Sequence, residues 1–187
     1  MIRDTFSGKL VRLVLAEREK HSEILAAWTR DSEYNRLEDA GPAVVLSTGQ
    51  IKGYFDQDED RYLFMIETLP DGKVIGLIGL DHLNWPSGDA FVGIGLGERD
   101  YWGKGYGTEA MNILLGYAFQ EVGLKRVSLT VFEYNPRAIR SYEKVGFQHE
   151  GRLRKALNRD GRRWDILFMG ILRQEWEKLQ EVERSGE

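Results

Sequence analysis

Three glycines on alternate positions stand directly before an apolar pattern of helical spacing, in YWGKGYGTEAMNILLGYAFQEVG at residues 101–123. Glycine costs about 1 kcal/mol in a helix relative to alanine, so Gly103, Gly105 and Gly107 need another reason to be there. The first N–H groups of a helix lack helical partners and carry a partial positive charge. Glycines let an anion approach them closely, and each charge-assisted hydrogen bond contributes about 1.5–3 kcal/mol. The pattern predicts a phosphate-binding turn; a tight strand-to-helix turn is the alternative.

The strand predicted before this turn, AFVGIGLG at residues 90–97, contains three glycines in eight residues. Its apolar residues alternate with Gly93, Gly95 and Gly97. Because side chains alternate between the two faces of a strand, one face is expected to carry none. An extended ligand with amide groups would then pair with this backbone as a neighbouring strand does. Glycines that admit a packed helix, or a bulge, are an equal alternative.

Apolar alternation and turn residues along the chain predict an α+β fold with a mixed sheet. Strands are predicted at 9–17, 61–69, 73–83, 90–97, 125–132 and on both sides of a hairpin turn at 158–161. Helices are predicted at 18–30, at 105–122, from Asn135-Pro136 to Gly146, and from about 172. Asn135 is the expected N-cap of its helix, and Gly123 and Gly146 are expected to end theirs. Residues 31–60 are irregular, with a weak helix near 50–56.

Composition restricts the class of protein. The chain has 187 residues, a net charge of −4 and no cysteine. Disulfides and thiolate metal sites are therefore excluded, and no overall positive field favours nucleic acid. The sequence also lacks a secretory signal and an apolar run near the roughly 20 residues that cross a bilayer. We expect one cytoplasmic domain over residues 1–187, with no metal, nucleic acid or membrane among its partners.

Two blocks resemble a known family: GIGLGERDYWGKGYGTEAMNILLGYAF and LTVFEYNPRAIRSYEKVGFQHEGRLR. The chain is similar over about residues 73–170 to the Gcn5-related N-acetyltransferase (GNAT) superfamily, in particular its RimJ/RimL-like branch. The resemblance implies a mostly antiparallel sheet that splays open after its fourth strand and is flanked by helices. It also implies transfer of an acetyl group from acetyl-CoA to an amine. One departure is Trp102, where Gln or Arg commonly begins the glycine turn.

The same resemblance assigns residues to the cofactor. The pantetheine arm of CoA would pair with the backbone of Ile94 and Leu96, and the pyrophosphate would lie on the amides of the glycine turn. This turn consists of Trp102, Gly103, Lys104, Gly105, Tyr106, Gly107 and Thr108. On the next helix, the pattern N-x-x-A-x-x-x-Y assigns cofactor contacts to Asn135, Ala138 and Tyr142. From spacing alone, an N-cap and a core tyrosine are the ordinary interpretations of Asn135 and Tyr142.

The implied reaction is direct attack of a neutral amine on the thioester, with Tyr142 protonating the leaving sulfur. Asp81, His82 and Glu133 are candidates for the base that deprotonates the amine, and a water chain is the alternative. The expected partners are acetyl-CoA and a primary amine, either a protein N-terminal α-amine or a small molecule. A polyamine N-acetyltransferase and a non-catalytic acyl-CoA-binding or sensing module are the alternatives. The sequence leaves a homodimer open.

Charge is distributed unevenly along the chain. Residues 56–60 are acidic, and residues 152–163 carry six basic side chains against one acidic side chain. Solvated surface is the ordinary interpretation of such runs. The alternative for the acidic 31–60 segment, which includes Glu33, Glu38 and Asp39, is attraction of a cationic amine. For the basic run it is contact with a CoA phosphate or an acidic peptide.

Overall fold

The computed structural model describes residues 4–56 and 61–185, apart from the side chain of residue 183. A seven-stranded sheet with the order β1-β2-β3-β4-β5-β7-β6 organises the described chain. The strands are β1 (Val11–Leu15), β2 (Tyr62–Thr68), β3 (Val74–Asn84), β4 (Asp89–Leu96), β5 (Arg126–Phe132), β6 (Gln148–Arg159) and β7 (Arg162–Leu172). All neighbouring strands are antiparallel except β4 and β5, which are parallel. The predicted mixed, mostly antiparallel sheet is thereby confirmed.

Six α-helices flank this sheet in the described residues. They are α1 (Arg18–Trp28), α2 (Ser32–Glu38), α3 (Thr48–Phe55), α4 (Tyr106–Gly116), α5 (Pro136–Val145) and α6 (Arg173–Ser185). The helix predicted over 105–122 is not α-helical throughout, because Tyr117–Glu121 form a π-helical turn after Gly116. In that turn the N–H of Val122 donates to the carbonyl of Tyr117. Gly123, with φ 81°, then ends the helix as predicted.

The segment 31–60 contains two helices where the sequence predicted only one weak helix. The Asp31 carboxylate caps α2 by accepting the N–H groups of Glu33 and Tyr34. A capping box between Ser47 and Gln50 begins α3, which confirms the weak helix near 50–56. The acidic run at 56–60 lies outside the described residues except for Asp56. The consequence for the site is that α2 contacts β4.

The sheet splays open after its fourth strand, as predicted. The strands β4 and β5 pair only from Asp89 to Phe91, where the last partner is Ser128. Beyond that point β4 continues beside β3, and β5 continues beside β7. A cleft therefore opens between two strands whose outer sides are already paired. Alternate N–H and C=O groups along each strand edge point into such a cleft.

Burial of α4 directs its first turn at this cleft. Ala110, Met111, Leu114 and Leu115 are fully buried against the sheet. The Glu109 carboxylate also accepts three backbone N–H groups of residues 9–11, at 2.9, 2.7 and 2.8 Å. Charge-assisted hydrogen bonds of this kind are stronger than neutral ones. The start of α4 is therefore anchored from both sides.

Candidate active site

The cleft between β4 and β5 widens into a cavity of about 500 Å³. Its walls come from six places in the chain: α2, the end of β3, β4, the glycine turn with the start of α4, the end of β5, and α5. Most of the predicted site residues line it. They are Asp81, His82, Ile94, Leu96, Trp102, Gly103, Gly105, Gly107, Thr108, Asn135, Ala138 and Tyr142. Three predicted residues do not line it, namely Lys104, Tyr106 and Glu133.

The glycine turn needs glycine for its backbone conformation at two positions. Gly103 has φ 71° and Gly105 has φ 92°, both in the left-handed region. Gly105 is the N-cap of α4, so the N–H groups of Tyr106, Gly107 and Thr108 have no acceptor within the helix. A Cβ on Gly107 would make only ordinary contacts with Leu96 and Ile94, so the protein itself does not require glycine there. This turn therefore has the free amides and the open space that a pyrophosphate group needs.

The side chain of Trp102 is fixed beside this turn. Its Nε1–H donates to the carbonyl of Leu96 at 2.7 Å. The guanidinium of Arg137 lies over the indole at 4.0 Å from the ring centroid, and that of Arg99 lies at 5.1 Å. Arg137 also lines the cavity, so α5 brings a cation beside Trp102, the residue that stands where the family pattern commonly has Gln or Arg. The turn therefore has a positive charge beside it although Trp102 itself carries none.

Helix α5 forms the wall opposite β4. The Asn135 side chain accepts the N–H of Ala138 at 3.2 Å, which confirms the predicted N-cap. Asn135, Ala138 and Tyr142 all line the cavity, as residues at i, i+3 and i+7 share one helix face. The hydroxyls of Thr108 and Ser141 lie 2.7 Å apart and join α4 to α5. Gly146, with φ 107°, ends the helix as predicted.

The phenol of Tyr142 faces the cavity from α5. Burial raises its pKa, and the charge of Glu38 raises the pKa further. A phenol with a raised pKa stays protonated at neutral pH and keeps its O–H donor. Its ring centroid lies 6.0 Å from that of Phe147, which helps to fix the orientation of the ring. The arrangement can donate a proton to a group held in the cavity.

The glycine face of β4 is not bare, contrary to the expectation from its sequence. A Cβ on Gly97 would lie 1.9 Å from the indole of Trp28, and a Cβ on Gly95 would lie 2.6 Å from the carboxyl group of Glu38. Only at Gly93 is the space open. The alternative, glycines that admit a packed helix, therefore applies to two of the three positions. The backbone available to a ligand is at the edge of β4 that faces β5.

Two of the three base candidates line the cavity. Asp81 and His82 stand at a bulge near the end of β3, where His82 has φ 48° and its ring lies 6.2 Å from that of Phe91. Glu133 does not line the cavity: it is exposed, and its carboxylate accepts the N–H of Asp165 at 3.1 Å. Strand-end position alone could not tell which edge of the sheet it faces.

Lys104 and Tyr106 contribute backbone rather than side chains to the turn. Lys104 is exposed outside the cavity. The ring of Tyr106 packs edge-on against that of Tyr101, with the centroids 5.0 Å apart. The predicted pyrophosphate contacts of these two residues are those of their backbone amides, which belong to the turn.

Helix α2 supplies site residues that the sequence analysis did not assign. Tyr34, Leu37 and Glu38 line the cavity. Burial raises the pKa of the Glu38 carboxyl to about 8, and the charge of Asp39 adds to the shift. By accessible surface Glu38 is nevertheless an exposed residue, because the cavity whose walls surround its carboxyl group is open to solvent. The acidic composition of 31–60 drew attention to Glu38, but no local pattern places α2 over β4.

Two findings concern other kinds of site. No group of His, Asp or Glu side chains among residues 4–56 and 61–185 is arranged to hold a metal ion. Within the same part of the chain, no helix has both the length and the apolar character needed to cross a membrane.

A sheet split after its fourth strand, with a glycine turn of free amides beside the split, is the arrangement that the resemblance implied for an acyl-CoA-dependent transferase. The family model described as "Acetyltransferase (GNAT) domain" matches residues 11–148, and the chain belongs to this family. It is accordingly an acyltransferase, and acetyl-CoA is its co-substrate.

Several named relatives are N-acetyltransferases. The chain is 28% identical over 172 residues to the uncharacterized N-acetyltransferase p20 of Bacillus licheniformis, covering 88% of this chain and 95% of p20. It is 33% identical over 109 residues to the putative ribosomal N-acetyltransferase YdaF of Bacillus subtilis (strain 168), covering 58% and 59%. It is 36% identical over 110 residues to the spermidine N(1)-acetyltransferase of Escherichia coli (strain K12), covering 59% and 56%.

The fold is similar to that of a solved structure, the spermidine N-acetyltransferase from Vibrio cholerae in complex with CoA and spermine. The TM-score is 0.80, with 24% identity, covering 89% of this chain and 98% of that one. At this identity the likeness establishes the fold, which agrees with the predicted fold class.

Proposed function

We propose that this chain transfers the acetyl group of acetyl-CoA directly to a primary amine, either a protein N-terminal α-amine or a small-molecule amine. The observation that carries this proposal is the cavity between β4 and β5, in which the glycine turn, the edge of β4 and Tyr142 face one another. We propose further that residues 1–187 are a single N-acetyltransferase domain, since one sheet includes strands from Val11 to Leu172. The RimJ/RimL-like branch also stays a proposal, because the relatives are diverse N-acetyltransferases. A homodimer and a cytoplasmic location stay predictions.

Each part of acetyl-CoA has a corresponding part of the cavity in this proposal. The amides from Gly103 to Thr108 hold the pyrophosphate, and the Arg137 guanidinium adds a positive charge beside them. The backbone edge of β4 at Ile94 and Leu96 pairs with the amides of the pantetheine arm. A β4 N–H also polarises the thioester carbonyl. Tyr142 donates its proton to the sulfur as the carbon–sulfur bond breaks.

A polyamine is the second candidate for the acceptor. Asp81 and Glu38 both line the cavity, and a carboxyl group favours a cationic amine when it is ionised, which for Glu38 requires a pH near or above its pKa of about 8. Relatives named spermidine N(1)-acetyltransferase, from Escherichia coli and Vibrio cholerae, support the same acceptor class. A primary amine is common to both candidates, so they differ in substrate and not in chemistry.

The test is release of free CoA thiol from acetyl-CoA in the presence of a panel of amines. Peptides with a free N-terminus, the same peptides with a blocked N-terminus, a lysine side-chain amine and spermidine form the panel. We expect release that requires an added amine and a product heavier by one acetyl group. Reaction of spermidine alone would select the second candidate. Saturable acetyl-CoA binding without turnover on any amine would instead indicate the non-catalytic binding or sensing module.

A further inference from the structure

We propose that Glu38, the last residue of α2, is the general base that takes the proton from the acceptor amine. The proposal rests on the N-acetyltransferase function proposed above and adds a catalytic residue to it. The sequence pointed to Asp81, His82 and Glu133 for this step. Asp81 and His82 line the cavity from β3, and Glu133 lies outside it, whereas the carboxyl group of Glu38 lies against the middle of β4, the strand that borders the cleft.

The position of the carboxyl group follows from its contact with Gly95. A Cβ on Gly95 would lie 2.6 Å from the carboxyl carbon and 2.6 and 2.7 Å from the two carboxyl oxygens. These atoms therefore occupy the place of a side chain on the middle of β4. In the proposed function this strand holds the pantetheine arm along its edge. Glu38 lines the same cavity as Tyr142, so the two groups share the space in which the thioester would lie.

The surroundings of Glu38 favour a carboxyl group that exchanges a proton near neutral pH. Tyr34 and Asp39 face it from its own segment, Tyr54 from α3 and Tyr142 from α5. These neighbours are three phenols and one carboxylate. The negative charge of Asp81 on β3 raises the pKa of Tyr54, as that of Glu38 does. Burial, with the charge of Asp39, raises the pKa of Glu38 to about 8. An α-amine has a pKa of about 8, so the proton transfer between them is nearly balanced.

The reaction balances in protons and electron pairs without another reactant. The substrate arrives as an ammonium ion, and Glu38 takes one proton, which frees the nitrogen lone pair. The nitrogen bonds to the acetyl carbon, and the carbon–sulfur bond breaks with its electron pair on sulfur. Tyr142 gives its proton to that sulfur, and a second proton from the nitrogen replaces it on the phenol oxygen. The products are the amide and CoA thiol, and Glu38 releases its proton to solvent.

The deciding experiment compares kcat against pH for wild type, Glu38→Gln and a matched control, Glu33→Gln. Glu33 undergoes the same chemical change on the same helix, but it is paired with Arg99 at 2.6 Å and does not line the cavity. Because the carboxylate is the active form, kcat of wild type is expected to rise with pH and level off above about 8. Glu38→Gln is expected to lose at least tenfold in kcat at pH 7 and to lose this rise. Glu33→Gln is expected to behave as wild type.

Two acceptors, a peptide α-amine and a lysine side-chain amine, assign the pH-dependent step. Their pKa values are about 8 and 10.4. If the rise in kcat stays near pH 8 for both amines, it reports the ionisation of Glu38. If the midpoint of the rise moves with the pKa of the amine, the proposal is overturned. A higher KM for Glu38→Gln with kcat unchanged would also overturn it, because Glu38 would then only attract the cation. Wild-type protein that binds acetyl-CoA but releases no thiol would overturn the proposed function itself.

A second variant tests the position of the carboxyl group without removing it. Gly95→Ala adds a methyl group where the Glu38 carboxyl lies, and the flexible glutamate side chain can move away. We expect a lower kcat at pH 7 with acetyl-CoA binding and thermal stability retained. Full wild-type kcat in Gly95→Ala, with its pH profile unchanged, would contradict the proposal.

Discussion

Replacing Tyr142 by Phe is expected to slow acetyl transfer about hundredfold, and at least tenfold, with little loss of acetyl-CoA binding. A general acid contributes about 10²–10⁴ to a rate, and the phenol O–H is the group that Phe lacks. The aromatic ring keeps its place against Phe147, so the cavity keeps its shape. Single-turnover rates at saturating acetyl-CoA, together with calorimetric binding, measure the two effects separately.

The matched control for this change is Tyr101→Phe. Tyr101 directly precedes the glycine turn, but its ring packs on Tyr106 and its side chain does not line the cavity. Wild-type turnover is expected for this variant.

Because burial and the charge of Glu38 raise the pKa of Tyr142, its phenol is also expected to stay protonated as pH rises past the ordinary tyrosine value of about 10. Equal rates in Tyr142→Phe and wild type would remove Tyr142 from the mechanism.

Replacing Gly97 by Ala is expected to destabilise the fold by about 1–3 kcal/mol, the usual cost of overpacking a core. The added Cβ would lie 1.9 Å from the indole of Trp28, a rigid side chain that is only 5% exposed. The Nε1–H of this indole donates to Glu98 at 3.0 Å, so its movement also strains a hydrogen bond. The free energy of unfolding from urea titration measures the effect.

Gly93→Ala, on β4 four residues before Gly97, is the control. A Cβ there meets no atom within 4 Å, so its free energy of unfolding is expected to stay within about 0.5 kcal/mol of wild type. Gly93 lines the cavity, so this change is expected to act on ligand binding instead. Equal stability losses in Gly93→Ala and Gly97→Ala would contradict the contact between Gly97 and Trp28.

Local signals in the sequence were enough to predict the parts of the fold that local chemistry determines. The turn at Gly72, with φ 65°, and the cap at Asn135 follow from the conformations that these residues prefer. The glycine turn was predicted for the same reason, since Gly103 and Gly105 have left-handed backbone. The capping box between Ser47 and Gln50 was also a readable signal for the start of α3.

The remaining features depend on contacts between residues far apart in the chain. Whether the glycine face of β4 is bare depends on where α1 and α2 pack, and both Trp28 and Glu38 are more than 50 residues away from it. The cation beside the glycine turn comes from Arg137, and only the packing of α5 brings it to Trp102. Periodicity predicts which elements form, but it does not predict which side chain reaches which cleft.

Titration calorimetry of acetyl-CoA into the folded wild-type protein tests most directly whether the cleft between β4 and β5 seats this thioester. The predicted result is saturable heat that fits one site per chain and weakens as salt is raised, because phosphate contacts are electrostatic. The contradictory result is the absence of saturable heat at millimolar acetyl-CoA, in protein whose folding is verified by a cooperative urea transition.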